Sequence, residues 1–436
     1  MWIPKLLPGL LVTPAWAHAY DDTDILIAKR NNGVAAGGSC GTQANNAVCA
    51  AGLCCSAAGV CGTGGAFCVA PACQISAGPA CDGNQTPNGA DTSKVPRPLV
   101  GSIPYGIDIS HCTVNGKVAI TFDDGPYLYT GALLDILKNN NVTATFFVVG
   151  NNGAKGMIND PTTGYPAILR RMVADGHQIG SHTWSHQDLS AVTAAQRKDQ
   201  IVKNEIALAD VLGVFPTYLR PPYTRWNQDA LNDLKTYGYH VLNYDIDTRD
   251  WQGDYTVAEN IFQTILSQHS PASSSWISLE HDIYNTTVHV FAQYIIDQAR
   301  KLGYQLVTVG ECLADPPSNW YRNATTGQPA HPVADGVANN VGAGGNPTTG
   351  TAAPTTHTTK AASPTTATGS LPSAIAAGSN GNGSGKTTTK TSTAATTGAA
   401  VTATSSPTAT KSDSLRLMSR GGSAILLLLF VMAFIL

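Results

Sequence analysis

The chain has 436 residues, a formal net charge of -3 and only 13% charged side chains. This length allows a large catalytic domain with appended segments, because single domains usually have about 50 to 250 residues. The near-neutral charge gives no electrostatic basis for binding nucleic acid or a strongly basic partner, so we predict neither, and we predict no protein partner.

Residues 1–19 have the composition of a short secretory signal peptide. Lys5 precedes a short apolar stretch, and the small residues of Ala-Trp-Ala-His-Ala follow at 15–19. We therefore predict a secreted protein. Residues 20–39 are predicted to be a linker or a propeptide.

The segment 40–81 is rich in cysteine and contains eight of the ten cysteines. A unit this short cannot bury enough apolar surface to fold by itself, so we predict that four disulfides stabilise it. Such a cysteine density is typical of oxidising compartments. Cysteine spacing alone leaves many pairings open.

The order of these cysteines, with the adjacent pair Cys54-Cys55 followed by Ser56, resembles the hevein-like chitin-binding module. The resemblance implies the pairs Cys40–Cys55, Cys49–Cys61, Cys54–Cys68 and Cys73–Cys81. Modules of this family stack sugar rings on aromatic side chains, and the matching positions here are Ser56, Ala58, Val60 and Phe67. Two of the three rings are missing, and each is worth about 0.5–1.5 kcal/mol or more. The sequence therefore predicts either a weak sugar binder or a purely structural module.

Residues 82–110 are rich in proline and glycine and are predicted to be a linker. Residues 111–313 alternate strand-like and helix-like runs, which predicts an α/β domain. The predicted strands are 118–122, 145–149, 178–181, 217–220, 240–245, 276–281 and 305–309. The predicted helices include 168–174, 194–212, 227–237, 257–268 and 288–302.

Seven strands separated by helices predict a parallel sheet closed, or nearly closed, into a distorted (β/α)7-type barrel. Cys112 and Cys312 flank this domain, and in a secreted chain we expect them to pair with each other, the alternative being two free thiols. The sequence has no glycine-rich nucleotide-binding motif, so we predict no nucleotide cofactor.

Polar residues follow several of the predicted strands. Asp123 and Asp124 come directly after the apolar run 118–122 and precede Gly125-Pro126, which places two carboxylates at the carboxyl end of a strand. Neighbouring carboxylates repel each other, and burying both is costly unless a cation or a proton lies between them. By itself this pattern is more typical of a turn.

His182 and His186 follow the predicted strand 178–181 with a spacing that can place two imidazoles on one side of a helical turn. A lone pair of this kind is a weak signal. Two imidazoles and one aspartate at strand ends, however, form a ligand set for a divalent metal with positions left open for water and substrate.

Three further motifs also follow strands: Arg220-Pro-Pro-Tyr223, Asp247-Thr-Arg-Asp250-Trp251 and Leu279-Glu-His281. With the two described above, they resemble in order the five motifs of the polysaccharide deacetylase family, carbohydrate esterase family four. The resemblance covers roughly residues 112–313, and no motif is broken.

The resemblance implies a role for each matching residue. Asp124, His182 and His186 would be the metal ligands, with Zn²⁺ expected and Co²⁺ also possible. Asp123 would be the general base and Arg220 would keep it ionised, while His281 would be the general acid, oriented and kept charged by Asp250. The backbone N–H of Tyr223 would stabilise the oxyanion. Trp251 would form a wall of the acetyl pocket.

These features predict an enzyme that removes acetyl groups from chitin. The alternatives are a deacetylase of another glycan, such as acetylxylan or peptidoglycan, and a wall-binding protein without activity. Intact motifs argue against the last alternative.

Residues 314–411 are predicted to be a disordered stalk, since Thr, Ser, Ala, Gly and Pro dominate them. Residues 412–436 combine small residues, a polar spacer and a terminal apolar tail, as glycosylphosphatidylinositol signals do. Ser412 or Ser414 would be the attachment residue, and the protein would then lie at the outer face of the plasma membrane or in the cell wall.

Sequons predict N-glycosylation at Asn84, Asn141, Asn285, Asn323 and Asn382.

Overall fold

The computed structural model describes residues 33–334. The predicted signal peptide, nearly all of the predicted stalk, the Asn382 sequon and the anchor signal with Ser412 and Ser414 lie outside the described residues. Within the described part of the chain, no helix combines the length and the apolar character needed to cross a membrane.

The N-terminal module is a small unit organised around its disulfides. Strands β1 (Cys54–Cys55) and β2 (Cys61–Gly62) pair antiparallel, and one short helix, α1 (Gly65–Cys68), follows them. Half-cystines make up most of its buried core. The structure contains the four disulfides that the resemblance implies: Cys40–Cys55, Cys49–Cys61, Cys54–Cys68 and Cys73–Cys81.

The second unit alternates strands and helices. Its strands are β3 (Asp108–Ile109), β4 (Lys117–Asp123), β5 (Thr145–Val148), β6 (Gln178–Ser181), β7 (Val214–Pro216), β8 (Tyr218–Leu219), β9 (His240–Leu242), β10 (Ile246–Asp247), β11 (Trp276–His281), β12 (Gln305–Val307) and β13 (Tyr321–Asn323). Its helices are α2 (Thr130–Asn139), α3 (Tyr165–Ala174), α4 (Ala194–Leu212), α5 (Gln228–Thr236), α6 (Tyr255–Ser267), α7 (Ala292–Lys301) and α8 (Val309–Cys312). All seven predicted strands are present.

The main sheet is parallel and has the order β10-β11-β4-β5-β6-β8-β9-β3, with β12 paired to the first residues of β4. Strands β9 and β10 lie near opposite ends of this order, yet they are consecutive parts of the short segment 240–247. The sheet must therefore curl until this bent segment joins its two ends. The prediction of a distorted barrel is confirmed as a curled parallel sheet, whose two ends are connected along the chain by this segment and not by a strand pairing among the described residues.

Strand β4 is the centre of the sheet because it pairs with β11, β5 and β12. Every residue from Val118 to Asp123 is buried, as expected for a parallel strand covered on both faces. The carboxyl ends of β4, β5, β6, β8 and β11 consequently meet at one edge. The loops that follow these strands carry the predicted motifs.

The helices that cover the sheet begin and end where local chemistry favours it. Helix α4 starts with a capping box between Thr193 and Gln196 and ends at Gly213, whose φ of 71° is readily adopted by glycine. Helix α2 is absent from the predicted set, and its Thr130, Gly131 and Asn139 all have weak helix propensity. It is stabilised by packing of Leu133, Leu134 and Leu137 in the core.

Two predicted domain boundaries need correction. Residues 82–110 connect the two units but are not a free linker, because Thr92 and Arg97 bind the buried Glu205 of α4 at 2.7 Å. Residues 314–334 belong to the folded unit, since β13 pairs with β7 and Trp320 is buried in the core. The Cys112–Cys312 disulfide is present as expected.

Candidate active site

An open pocket of about 390 Å³ lies at the carboxyl ends of the strands. It is lined by residues from all five motifs and from three neighbouring loop positions: Asp123, Asp124, His182, His186, Pro221, Tyr223, Thr224, Tyr244, Asp247, Trp251, Leu279, His281 and Tyr284. Of the residues predicted to form the site, only Arg220 and Asp250 do not line it. Both are buried behind residues that do.

Asp124, His182 and His186 form one cluster in this pocket, with one ligand atom from each lying within 4.8 Å of the others. The Nδ1 of His182 is 2.7 Å from the carbonyl oxygen of Arg220. Because a carbonyl only accepts, Nδ1 must carry the proton, and Nε2 is left with a free lone pair. Burial lowers the pKa of His186 to about 4, which keeps its imidazole neutral as a metal ligand requires.

The carboxylate of Asp124 supports the same interpretation. Its Oδ1 is buried and has no hydrogen-bond partner within the described residues, while His186 Nε2 is 3.2 Å away and His182 Nε2 is 3.7 Å away. A buried carboxylate oxygen without a hydrogen-bond partner, facing two imidazoles, is costly unless a cation is bound. The three residues therefore fit a divalent metal, and two nitrogen donors with one oxygen donor are suitable for Zn²⁺.

Asp123 is held beside this cluster by Arg220. The guanidinium Nη1 donates to Asp123 Oδ1 at 2.8 Å and to Thr121 Oγ1 at 2.7 Å, and Nη2 donates to the carbonyl of Asn243. Arg220 is almost fully buried and packs on the Phe147 ring. Such an oriented, paired carboxylate is placed to accept a proton from a water molecule.

His281 and Asp250 form a second hydrogen-bonded pair. His281 Nδ1 is 2.8 Å from Asp250 Oδ1, the His281 backbone N–H donates to Oδ2, and Thr287 Oγ1 donates to the same oxygen. Burial lowers the pKa of His281, but its hydrogen bond to Asp250 and the nearby carboxylates outweigh this effect and raise the pKa to about 9. His281 is therefore charged at neutral pH and can donate a proton.

Two aromatic side chains of the pocket are half exposed, namely Tyr223 and Trp251. Tyr223 has a φ of 57° in the turn after β8, and its ring contacts His186 with 4.5 Å between ring centroids. Leu279 lies with Trp251 in the pocket lining. These side chains offer an apolar surface for a small acyl group and ring faces for sugars.

Sequence reasoning gave no role to three aromatic or acidic residues of the lining, namely Tyr244, Asp247 and Tyr284. Asp247 was part of a recognised motif but received no role. Tyr284 contacts His281 and lies three positions after it, so an aromatic residue in a loop after a motif strand was a usable signal. Tyr244 lies in the bent segment 240–247, whose shape could not be predicted from periodicity.

Two buried charged groups lie directly behind the metal cluster. Lys155 Nζ donates to the backbone carbonyls of Asp124 at 2.8 Å and Gly125 at 3.1 Å. Asp282 accepts from Thr130 Oγ1, and a Cβ at Gly125 would collide with its carboxylate. Burial raises the pKa of Asp282 to about 7 and lowers the pKa of Lys155 to about 8. No motif in the sequence indicated Lys155.

The face of the N-terminal module that corresponds to a sugar site is shallow and poor in aromatic residues. Ala58 is exposed, Val60 and Phe67 are half-buried, and Ser56 is buried. The Phe67 ring packs against Gly62 and the disulfide core. This face therefore presents few stacking surfaces.

The described sequons differ in their surroundings. Asn141 and Asn285 are exposed and remain predicted glycosylation sites, as does the partly buried Asn323. Asn84 differs, because its Nδ2 donates to the carbonyls of Ile75 and Gly78. A glycan on that nitrogen would leave one N–H for these two acceptors, so glycosylation of Asn84 would cost at least one hydrogen bond that the folded structure makes.

Two protein-family models match parts of this sequence. The polysaccharide deacetylase model matches residues 110–242, and the chitin recognition protein model matches residues 39–81. The first range includes six of the proposed site residues: Asp123, Asp124, His182, His186, Arg220 and Tyr223. The second coincides with the disulfide-rich module.

Comparison with individual proteins gives longer matches than the family models. The chain is 45% identical over 235 residues to a chitin deacetylase of Pestalotiopsis sp, covering 54% of this chain and 76% of the relative. It is 42% identical over 224 residues to a chitin deacetylase of Colletotrichum lindemuthianum, covering 50% and 88%. The solved structure of a chitin deacetylase from that fungus aligns with a TM-score of 0.49 and 41% identity, covering 51% of this chain and 97% of the other. On the two sequence matches, this chain belongs to the polysaccharide deacetylase family.

Proposed function

We propose that this protein hydrolyses the acetamide groups of N-acetylglucosamine residues in chitin and releases acetate. The observation that carries the proposal is that one open pocket contains a metal-binding cluster, a paired carboxylate beside it and a charged histidine. Amide hydrolysis needs three functions: a cation that polarises the carbonyl, a base that takes a proton from water, and an acid that protonates the leaving amine.

Asp123 is the base in this proposal. Its carboxylate takes a proton from the attacking water, and the bond from Arg220 keeps it ionised and fixes its direction. A divalent cation held by Asp124, His182 and His186 would polarise the acetyl carbonyl and acidify a nearby water molecule. Zn²⁺ or Co²⁺ is the expected ion, because this ligand set accepts either.

His281 is the acid. An amine leaves only when it is protonated, and the proton on His281 is available because Asp250 holds the other ring nitrogen. The backbone N–H of Tyr223 would stabilise the oxyanion as the carbonyl carbon becomes tetrahedral. Trp251 and Leu279 would enclose the methyl group of the acetyl.

Chitin is the favoured polymer for three reasons. The pocket is open, Tyr223 and Trp251 expose ring faces on which sugars can stack, and two relatives that are more than 40% identical are named chitin deacetylases. The match of residues 39–81 to chitin recognition proteins points to the same ligand. The sparse aromatic face of that module predicts weak binding.

A deacetylase of another glycan is the second candidate. The chain is 33% identical over 205 residues to a peptidoglycan-N-acetylglucosamine deacetylase of Listeria monocytogenes, although it covers only 40% of that protein. Acetylxylan is a further alternative substrate. An ester needs less help from an acid than an amide, so the charged His281 favours an amide substrate.

Acetate release from chitin oligomers, peptidoglycan fragments and acetylxylan at matched concentrations tests the substrate. We expect the highest kcat/KM with chitin oligomers, and we expect chelation to remove the activity and Zn²⁺ or Co²⁺ to restore it. The Asp123→Asn variant controls for contaminating hydrolases. A higher kcat/KM with acetylxylan would leave the site intact but make chitin the wrong substrate.

We also propose that the protein acts outside the cell, attached to the membrane or wall. Residues 412–436 would direct a glycolipid anchor at Ser412 or Ser414, and the Ser/Thr-rich segment before them would serve as a stalk. We expect phosphatidylinositol-specific phospholipase to release the protein from intact cells. Released protein that still contains residues 424–436 would contradict this attachment.

A further inference from the structure

The two loops that carry the histidine ligands and support Asp124 are joined to each other. We call residues 150–157, after β5, the β5 loop, and residues 182–188, after β6, the β6 loop. The backbone N–H of Gly150 donates to the carbonyl of Thr183 at 3.1 Å, and that of Asn151 donates to Trp184 at 2.6 Å. The loops therefore form one unit, and it contains His182 and His186.

The N-terminal module is taken here together with residues 82–85, which Asn84 ties to it by donating to the carbonyls of Ile75 and Gly78. This unit packs on the β6 loop between the two histidines. Gly83 lies so close to Ser185 that a Cβ on it would be 2.6 Å from the Ser185 hydroxyl. Gln187 Nε2 donates to the carbonyl of Pro71 at 3.3 Å. Ser185 is fully buried and is also held by Gln200 of α4. The module thus packs against the part of the β6 loop that separates His182 from His186.

The module also holds the β5 loop. The backbone N–H of Gly153 donates to the carbonyl of Ala70 at 2.9 Å, and Asn151 Nδ2 reaches the carbonyl of Asp82 at 3.4 Å. Two residues after Gly153, Lys155 donates to the carbonyls of Asp124 and Gly125. The module is therefore connected to Asp124, the third proposed ligand, through its hydrogen bonds to the β5 loop and through Lys155 of that loop.

A buried charge fixes this docked arrangement. Lys203 of α4 is 8% exposed, and its ammonium donates to the carbonyls of Gly83 at 3.4 Å and Asn84 at 3.1 Å. Undocking the module would remove these acceptors from a largely buried cation, which is unfavourable. The four disulfides keep the docked surface itself rigid. The module is thus packed against the catalytic unit through specific contacts.

We propose that the N-terminal module is a structural support of the metal centre, and that the affinity for the metal depends on its docking. The module holds the β6 loop, which bears His182 and His186, and the β5 loop, whose Lys155 binds the backbone of Asp124, so its loss lets the three ligands move apart. This role is separate from sugar recognition, since the docked residues 70–71, 76 and 82–85 do not include the sugar-facing positions 56, 58, 60 and 67. The inference rests on the metal site proposed above.

The test uses the full-length protein and measures zinc affinity by competition with a chelator, without substrate. Gly83→Val places bulk against Ser185, and we expect zinc affinity to fall by about tenfold or more, the size of effect seen when groups supporting metal ligands are lost. Ser76→Ala combined with Gln187→Ala removes two hydrogen bonds from the docked surface and adds no bulk. We expect a smaller loss in the same direction.

The matched control is Ala58→Trp with Val60→Trp on the sugar-facing side of the same module. We expect stronger retention on chitin and unchanged zinc affinity. If folded Gly83→Val protein binds zinc like the unaltered protein, the proposal is overturned, and if that variant does not fold, the Ser76/Gln187 pair decides in the same way. Failure of the unaltered protein to bind zinc would instead refute the metal site, and acetate release tests the substrate separately.

Discussion

Replacing Asp124 and replacing Asp123 are expected to have different consequences although the residues are adjacent. Asp124→Ala and His182→Ala should abolish zinc binding, because each removes one of three ligands. Asp123→Asn should retain zinc and lose about 10²- to 10⁴-fold in kcat, because it removes only the base. Metal content per chain and acetate release are measured on the same preparations.

The structure gives a physical reason to expect different roles for the adjacent carboxylates. Asp124 has a φ of 75°, which turns the backbone between the two side chains, and only Asp123 contacts Arg220. Asp175→Ala is a suitable control, since its carboxylate forms ion pairs with Lys138 and Arg171 on the surface. It should leave both measurements unchanged. Loss of zinc from Asp123→Asn would show that the ligand and base assignments are reversed or shared.

Activity is expected to fall above about pH 9, and Asp250→Asn should move this fall to lower pH. Burial lowers the pKa of His281, whereas the bond to Asp250 and the carboxylates of Asp124 and Asp123 raise it, giving a pKa of about 9. The acid form of His281 is therefore present below pH 9 and is lost as the pH rises through that value. Without the Asp250 charge, the opposing effect of burial would lower the pKa again.

The measurement is the pH profile of kcat for chitin oligomers. In Asp250→Asn, we expect the basic limb to shift toward or below the ordinary histidine pKa of about 6.5 and the maximal kcat to fall by about 10²-fold or more. Thr287→Val is the matched control, because it removes one hydrogen bond to Asp250 but leaves the carboxylate charge. An unshifted limb in Asp250→Asn would mean that another group supplies the proton.

Sequence alone predicted which side chains come together at the site, because their positions relative to the strands are encoded locally. Each motif directly follows an apolar run, and the carboxyl ends of parallel strands meet at one edge of a sheet, so Asp123, His182, Arg220 and His281 had to converge. The seven strands were predictable for a similar reason. Strand β4 is continuously apolar from Val118 because it is covered on both faces.

Other features could be decided only by the tertiary structure. Lys155 and Tyr244 lie in irregular segments, and nothing in their neighbours specifies what they contact. The segment 82–110 resembles a linker by composition, yet Thr92 binds Glu205 across 113 residues of sequence. Local periodicity cannot encode such a contact, because the partner of each polar group is chosen by the way distant segments pack. The docking of the N-terminal module against the loops of the metal centre is determined in the same way.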